Sequence, residues 1–272
     1  MIGQKKLKDI AKRIRLQILK MIFKSKTAHI GGSFSSIEIL TVLYFKIMRI
    51  NPKKPFWEDR DRFILSKGHI AAGLYAVLAE RGFFNKKMLV NYYVNGGNFP
   101  GHVSRNCVPG IEVSTGSLGH GLAMANGISL AGKRDKKNYR VFVLLSDGEC
   151  DEGSNWEAIL FAGHHKLDNL IAIVDYNKLQ AFGKTNEVLN LEPFAAKWRN
   201  FGWEAKKING HNFKEIILAL KNIPFKKGKP SVLIAHTIKG KGVSFMENKL
   251  EWHYKPPSLE EFKIAIKEIK NL

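Results

Sequence analysis

Apolar residues along this chain form two patterns, short uninterrupted runs and helical repeats. Residues 141–145 and 170–174 are continuous apolar runs rich in β-branched side chains, which is typical of parallel strands buried on both faces. Between them, the apolar residues of 154–166 recur at spacings of three and four, which favours a helix that packs on the sheet through one face. This central stretch therefore predicts a strand, a helix and a second parallel strand.

The same two patterns extend over the rest of the chain, with loops where glycine and proline accumulate. We predict helices over 7–24, 35–48, 70–81, 154–166, 191–201 and 212–221, and strands over 140–145, 170–175, 203–208 and 231–236. A Gly-rich region at 95–121 and a loop at 176–190 connect them. The predicted fold class is α/β, a mainly parallel sheet with helices on both faces, in one domain spanning 1–272.

Polar residues follow two of these strands at their carboxyl ends. Asp147 and Gly148 follow the first run, and Asn177 follows the second, thirty residues after Asp147. The carboxyl ends of parallel strands meet at one edge of a sheet, where open α/β folds bind ligands. Mg²⁺ takes carboxylate and amide oxygens from a protein and completes its octahedron with phosphate oxygens and water. The pattern favours a magnesium site, although a Ser-Asp-Gly turn is also common in ordinary loops.

The segment from Asp147 to Asn177 resembles the thiamine diphosphate motif, and its EGSNWEA stretch resembles the transketolase form of that motif. Further segments resemble transketolase in the same order along the chain. They are TAHIGGSFSSIEIL with His29, DRFILSKGHIAAGLYAVL with His69, PGH with His102, STGSLGHG at 114–121, and HTIKGKGVSFMENKLEWHYK with Lys239 and His253. The resemblance runs from about residue 7 to about residue 257, so the chain is identified as a member of this family.

The resemblance implies how thiamine diphosphate and its metal would be held. Asp147, Asn177 and the backbone carbonyl of Leu179 would bind Mg²⁺, for which Ca²⁺ or Mn²⁺ can substitute. The residues expected to contact the diphosphate are Gly148, His69, Lys239 and His253. The turn expected to meet the aminopyrimidine ring through its backbone consists of Gly116, Ser117 and Leu118. Glu152 matches a family glutamate that meets the partner chain near the cofactor.

The resemblance also implies a reaction, the transfer of a two-carbon ketol unit between sugar phosphates of the pentose phosphate pathway. His29, His102 and His253 would face the sugar as catalytic residues, because imidazole titrates near neutral pH and can shuttle protons from hydroxyls. His164 and His165 lie on the predicted crossover helix, and a lone histidine is more often structural than catalytic. We therefore interpret those two as structural.

Three positions depart from the family pattern. Ser146 and Ala28 stand where glycine is usual, and His120 stands where many relatives have glutamine. Since only glycine adopts a positive φ at little steric cost, the first two replacements require that the backbone at Ser146 and Ala28 avoids positive φ. His120 leaves open whether the hydrogen bonds near Gly116 follow the family.

The resemblance has a consequence for assembly. A complete transketolase chain has three domains, and these 272 residues match only the first. The glutamate that activates the cofactor belongs, in the family, to the second, pyrimidine-binding domain. We therefore expect the N-terminal subunit of a split transketolase, active with a C-terminal subunit in an α₂β₂ assembly. The alternatives are a fragment of a deoxyxylulose-phosphate synthase, a subunit of a 2-oxo acid dehydrogenase, or a non-catalytic basic binding protein.

The chain is strongly basic, with a formal net charge of +20. Its N-terminal basic cluster has the period of an amphipathic helix with a solvated face, and no nucleic-acid-binding signature accompanies it. We therefore expect neither nucleic acid nor a membrane as a partner, and we assign the charge to steering of sugar phosphates and docking of an acidic subunit. Two cysteines without paired spacing, together with the lack of a signal-peptide pattern or an apolar span, indicate the cytoplasm.

Overall fold

The computed structural model describes residues 2–272. Its centre is a sheet of five strands, β1 (Arg62–Leu65), β2 (Val141–Ser146), β3 (Leu170–Tyr176), β4 (Glu204–Asn209) and β5 (Ser231–His236). The strand order across the sheet is β1-β2-β3-β5-β4, and every neighbouring pair is parallel. The predicted α/β fold class is confirmed, with a sheet that is wholly parallel.

Helices connect the strands and cover both faces of the sheet. They are α1 (Gln4–Ser25), α2 (Ile30–Ser35), α3 (Ile37–Val42), α4 (Ala71–Arg81), α5 (Gly121–Arg134), α6 (Gly153–His164), α7 (Thr185–Val188), α8 (Phe194–Asn200), α9 (Phe213–Lys221) and α10 (Leu259–Lys270). Helices α1, α3, α4, α9 and α10 contribute to the core on one face, and α5, α6 and α8 to the core on the other.

The alternation of side chains along the strands builds these two cores. In β3, Leu170, Ala172 and Val174 point into the core that contains α5 and α6, whereas Ile171 and Ile173 point into the core that contains α1 and α4. All five side chains are at most 1% exposed. A strand with apolar residues on both faces can only be accommodated between two helical layers, as the continuous apolar run predicted.

One predicted helix, 35–48, is interrupted in the structure. Helix α2 ends at Ser35, α3 begins at Ile37, and a π-helical turn follows at Leu43–Ile47. The hydroxyl groups of Ser35 and Ser36 donate to the Asp175 carboxylate over 2.6 and 3.0 Å. Serine side chains that bond elsewhere compete with regular helix geometry, so this long-range contact explains a break that periodicity cannot show.

Five of these elements were not predicted, namely strand β1 and helices α2, α5, α7 and α10. Strand β1 is only four residues long and begins at Arg62, the last residue of the charged run DRDR. Helix α5 contains three glycines, which lower helix propensity. Helix α10 begins with a capping box in which Ser258 and Glu261 satisfy each other's backbone N–H groups, a signal that the sequence does contain.

None of the helices within residues 2–272 combines the length and apolar character that a bilayer crossing needs. The basic N-terminal segment forms α1, whose apolar residues are buried against α4 and α10. Its lysines therefore lie on the outer face, as the amphipathic pattern predicted.

Candidate functional site

The carboxyl ends of the central strands open into one cleft with a volume of about 480 Å³. The connections after β1, β2, β3 and β5 all reach it, as expected where parallel strands end together. Of the site residues predicted from the sequence, only Ser117 is outside its lining. Those that line it are His29, His69, His102, Gly116, Leu118, Asp147, Gly148, Glu152, Asn177, Leu179, Lys239 and His253.

Asp147 forms the floor of the cleft directly after β2. Its side chain is 1% exposed, and its oxygens accept backbone N–H bonds from Gly148 (2.8 Å) and Lys178 (2.5 Å). Asn177 follows β3 on the same edge, and its amide oxygen accepts the N–H of Leu179 over 3.0 Å. The register pairs Ser146 of β2 with Asp175 of β3, so the two strand ends are level, as the sequence predicted.

The electrostatics at Asp147 favour a bound cation. Burial, followed by the nearby Asp175 carboxylate, raises the pKa of Asp147 to about 7. A buried carboxylate held only by backbone N–H groups retains oxygen lone pairs for a positive charge. With Asn177 and the Leu179 carbonyl it offers hard oxygen ligands, which fit Mg²⁺. Within residues 2–272, no group of three or more His, Cys, Asp or Glu side chains is arranged to hold a metal ion.

Four histidines converge on the cleft from segments far apart in the chain. The ring of His29 lies 5.0 Å from that of His69, 5.1 Å from that of His253 and 6.3 Å from that of His102, between ring centroids. Burial, then neighbouring positive groups, lowers the pKa of His29 to about 4 and that of His253 to about 3. These two imidazoles are therefore neutral at pH 7, with one ring nitrogen that donates and one that accepts a hydrogen bond. They do not titrate near neutral pH, contrary to the prediction from the sequence.

The backbone at His29 adopts the left-handed conformation, with φ of 71°. Its N–H donates to the His253 carbonyl over 2.8 Å, which ties the first and last histidine segments together. Non-glycine residues in this region are uncommon and are often functional. Ala28 and Ser146 are not among the positive-φ residues of the described chain, so the expectation for these two positions is confirmed.

Lys239 places its ammonium group beside the expected metal ligands Asp147, Asn177 and Leu179, which line what we call the metal side of the cleft. Its Nζ donates to the carbonyls of Leu179 (3.1 Å) and Gln180 (3.2 Å) and lies 2.9 Å from His253 Nδ1. Burial, then the charge of Lys67, lowers the pKa of Lys239 to about 8. The side chain is 2% exposed, so burial and these contacts fix the position of the ammonium group, which could bind an anion in the cleft.

Another wall of the cleft is formed by the turn from Thr115 to Gly119, of which Gly116 and Leu118 line the cleft. The Thr115 hydroxyl donates to the Leu65 carbonyl over 2.6 Å, and the Gly119 N–H donates to Glu149 over 3.1 Å. Gly119 has φ of 84° and lies so close to Ser154 that a Cβ there would overlap the Ser154 hydroxyl. Glycine is therefore required at Gly119.

Sequence reasoning missed four residues of this site. Lys67 and Asp175 form a buried ion pair at its base, Glu149 connects its two walls, and Gln180 packs over Gly148. The isolated Lys67 inside an otherwise uncharged stretch, FILSKGHIAAGL, was a signal, because lysine is seldom buried without a partner. Nothing in the sequence identifies that partner, which lies 108 residues away.

Comparison with known proteins decides the family. The family described as "Transketolase, thiamine diphosphate binding domain" matches residues 6–270. The chain belongs to the transketolase family. It is 43% identical, over 94% of its own length, to 90% of a Phocaeicola vulgatus protein named as an apulose-4-phosphate transketolase subunit. It is 44% identical, over 97% of its own length, to 96% of a Clostridium sp. (strain MSTE9) protein named as a 6-deoxy-6-sulfo-D-fructose transketolase subunit.

Solved transketolase structures agree with this assignment. The Campylobacter jejuni enzyme superposes with a TM-score of 0.93 at 32% identity, over 99% of this chain and 43% of that one. The Leishmania mexicana enzyme gives 0.91 at 28% identity, over 99% and 42%. The chain thus spans less than half the length of these transketolases, and it corresponds to their thiamine diphosphate-binding domain. Residues 6–270 therefore form a transketolase-type thiamine diphosphate-binding domain.

Proposed function

We propose that this chain supplies the diphosphate-binding half of a split transketolase that transfers a two-carbon ketol unit between sugar phosphates. One observation carries the proposal: buried oxygen ligands, a buried ammonium and a group of imidazoles line the same cleft. A diphosphate with its metal needs the first two, and proton transfer on a polyhydroxylated substrate needs the third.

Thiamine diphosphate, when bound, supplies the carbanion chemistry that protein side chains lack. The metal side of the cleft would hold it: Asp147, Asn177 and the Leu179 carbonyl as Mg²⁺ ligands, and the Gly148 N–H as a donor to phosphate oxygens. The other donors proposed for the diphosphate are His69, Lys239 and His253. Backbone groups of Gly116, Ser117 and Leu118 would position the aminopyrimidine ring.

His29 and His102 are the residues we propose to act on the sugar, together with His253. His29 is neutral at pH 7 because its pKa is lowered to about 4, so one of its ring nitrogens can accept a hydrogen bond from a sugar hydroxyl. His102 is exposed at the mouth of the cleft, where an incoming substrate is first met. These assignments rest on the convergence of the rings and on the resemblance.

The partner is proposed to be a separate C-terminal subunit. The two relatives cited above carry the word subunit in their names and match this chain over 90% and 96% of their own lengths. By the family resemblance, the partner would bring the activating glutamate and the second half of the cofactor pocket, in an α₂β₂ assembly. Glu152 is exposed at the rim of the cleft, where a partner chain could meet it. The net charge of +20 favours an acidic docking surface on that partner.

The substrate is proposed to be a phosphorylated or otherwise anionic ketose. The two relatives are named for apulose 4-phosphate and for 6-deoxy-6-sulfo-D-fructose, both of which carry an anionic group. A place in the pentose phosphate pathway is therefore one option among related sugar pathways. The free thiols of Cys107 and Cys150 suit a reducing cytoplasm, which we propose as the location.

Replacement of Asp147 by alanine tests the proposed metal and cofactor site. In the assembled enzyme, the variant should lose Mg²⁺-dependent binding of thiamine diphosphate, measured by calorimetry, because the buried carboxylate is removed. Asp168→Ala is a matched control, since Asp168 lies outside the cleft and pairs with Lys133. Undiminished cofactor affinity in Asp147→Ala would show that the metal is bound elsewhere.

A further inference from the structure

A buried ion pair lies beneath the metal side of the cleft. Lys67 Nζ is 2.5 Å from Asp175 Oδ2, and the two side chains are 1% and 0% exposed. Asp175 also accepts hydroxyl bonds from Ser35, Ser36 and Thr237. The polar partners of this carboxylate thus come from three segments far apart in the chain, and the pair is held rigidly.

The pair reaches the proposed metal ligands on one side and the cleft on the other. Asn177 Nδ2 donates to Asp175 Oδ2 over 3.4 Å, which orients the Asn177 amide. Lys67 lines the cleft, and a Cβ built on Gly32 would be 3.8 Å from its Nζ and 3.9 Å from His69 Nε2. Lys67 is therefore paired with Asp175 and is also near His69, one of the expected diphosphate donors.

Lys67 balances the charge of one of two carboxylates, Asp147 and Asp175, that lie near the ends of neighbouring strands. Asp147 follows β2 and Asp175 lies near the end of β3, in the register that pairs Ser146 with Asp175. Without Lys67, two negative carboxylates would face a cation that must also accept a polyanion. With Lys67 paired to Asp175, Asp147 is the one of these two carboxylates that has no cationic partner. A single charge leaves the cation free to attract phosphate oxygens.

Resting on the proposed function, we propose that Lys67 and Asp175 are positioning residues that set the charge of the metal site. In this role Lys67 limits the affinity for the bare cation and strengthens that for the metal–diphosphate pair. The signature is a pair of opposite shifts when one charge is removed. A purely structural role would weaken both kinds of binding together.

The test uses the chain mixed with its C-terminal subunit. Mn²⁺ binding without cofactor is measured by electron paramagnetic resonance, and thiamine diphosphate binding at saturating Mg²⁺ by calorimetry. Lys67→Met should bind Mn²⁺ at least roughly tenfold more tightly and thiamine diphosphate at least roughly tenfold more weakly, because one unit charge acting across a few ångströms of protein is worth more than a factor of ten. Asp175→Asn should bind Mn²⁺ more weakly. The double variant, which removes both charges, should return to within a few-fold of the wild type.

Lys133→Met is the matched control, because it removes a partly exposed lysine of the Lys133–Asp168 pair outside the cleft; it should change neither affinity. If Lys67→Met does not fold, the comparison of Asp175→Asn with the double variant still decides, since Mn²⁺ should bind more weakly to the former. Parallel loss of both affinities in Lys67→Met, or equal Mn²⁺ affinity in Asp175→Asn and the double variant, would overturn the inference. A wild type that binds no thiamine diphosphate would overturn the proposed function instead.

Discussion

Glu149 joins the two walls of the cleft, and its replacement by glutamine should loosen both. The side chain is 0% exposed. One carboxylate oxygen accepts the Ser66 hydroxyl and the Gly119 N–H (3.1 Å), and the other accepts the Ser146 N–H (3.2 Å). All three partners are donors, so a carboxylate satisfies all of them, whereas a glutamine amide has only one oxygen.

The cost of Glu149→Gln follows from that count. In the better amide orientation, the oxygen keeps Ser66 and Gly119, and the NH₂ group faces the Ser146 N–H. One buried donor then loses its acceptor, which costs about 1–3 kcal/mol. For a chain of this size, about 2 kcal/mol lowers the unfolding midpoint by about 4–8 °C. If the orientation reverses, the Gly119 turn is released, and thiamine diphosphate affinity should fall by roughly three- to tenfold, equivalent to about 1 kcal/mol.

Two assays separate these effects. Thermal unfolding by circular dichroism measures the stability, and calorimetry compares thiamine diphosphate with inorganic diphosphate, each with Mg²⁺. Weaker binding should be confined to the ligand that carries the pyrimidine ring, because the Gly119 turn belongs to that wall. Glu157→Gln is the matched control, since Glu157 is exposed on α6. An unfolding midpoint for Glu149→Gln equal to that of this control would refute the hydrogen-bond reasoning.

Two further predictions concern the histidines. His29→Ala and His102→Ala should lower kcat/KM and leave cofactor affinity within a few-fold, because these two residues are proposed to contact the sugar. His69→Ala should weaken cofactor binding first, because His69 is proposed to contact the diphosphate. The reverse result would show that the loops are misassigned. The pKa of His29 is lowered to about 4 by burial and then by His102. Between about pH 6.5 and 4, the unfolded chain therefore binds a proton that the folded chain does not. Stability should fall as pH falls through this window. Urea unfolding across this range should show a shallower pH dependence in His29→Gln, by about one proton; identical slopes would contradict the assignment.

The sequence predicted the central strands well because burial on both faces leaves a continuous apolar run, as in β2 and β3. Strand β1 was not predicted because four residues are too few to show a pattern. In the structure, all four of its residues pair with β2, which makes it part of the sheet. The break between α2 and α3 was not predicted because its cause is a hydrogen bond to Asp175, which lies on a strand far along the chain.

The residues of the site likewise divide into those that the sequence predicted and those that it did not. Residues within recognisable motifs, such as Asp147, Asn177 and His29, line one cleft as the resemblance implied. Lys67 and Glu149 belong to such motifs too, yet their partners come from other segments. A local pattern shows which residue types are present, whereas the pairing of buried charges is fixed only when the strands are assembled.

The central claim is that this chain supplies one half of a transketolase active site. The most direct measurement is ketol transfer with thiamine diphosphate and Mg²⁺, assayed on the chain by itself, on an isolated C-terminal transketolase subunit, and on their mixture. Xylulose 5-phosphate with ribose 5-phosphate and the ketoses named for the relatives serve as substrates. We predict turnover only in the mixture, and its loss when Mg²⁺ is chelated. Full turnover by the chain alone, or a mixture that binds the cofactor but transfers no ketol unit from any of these donors, would contradict the account.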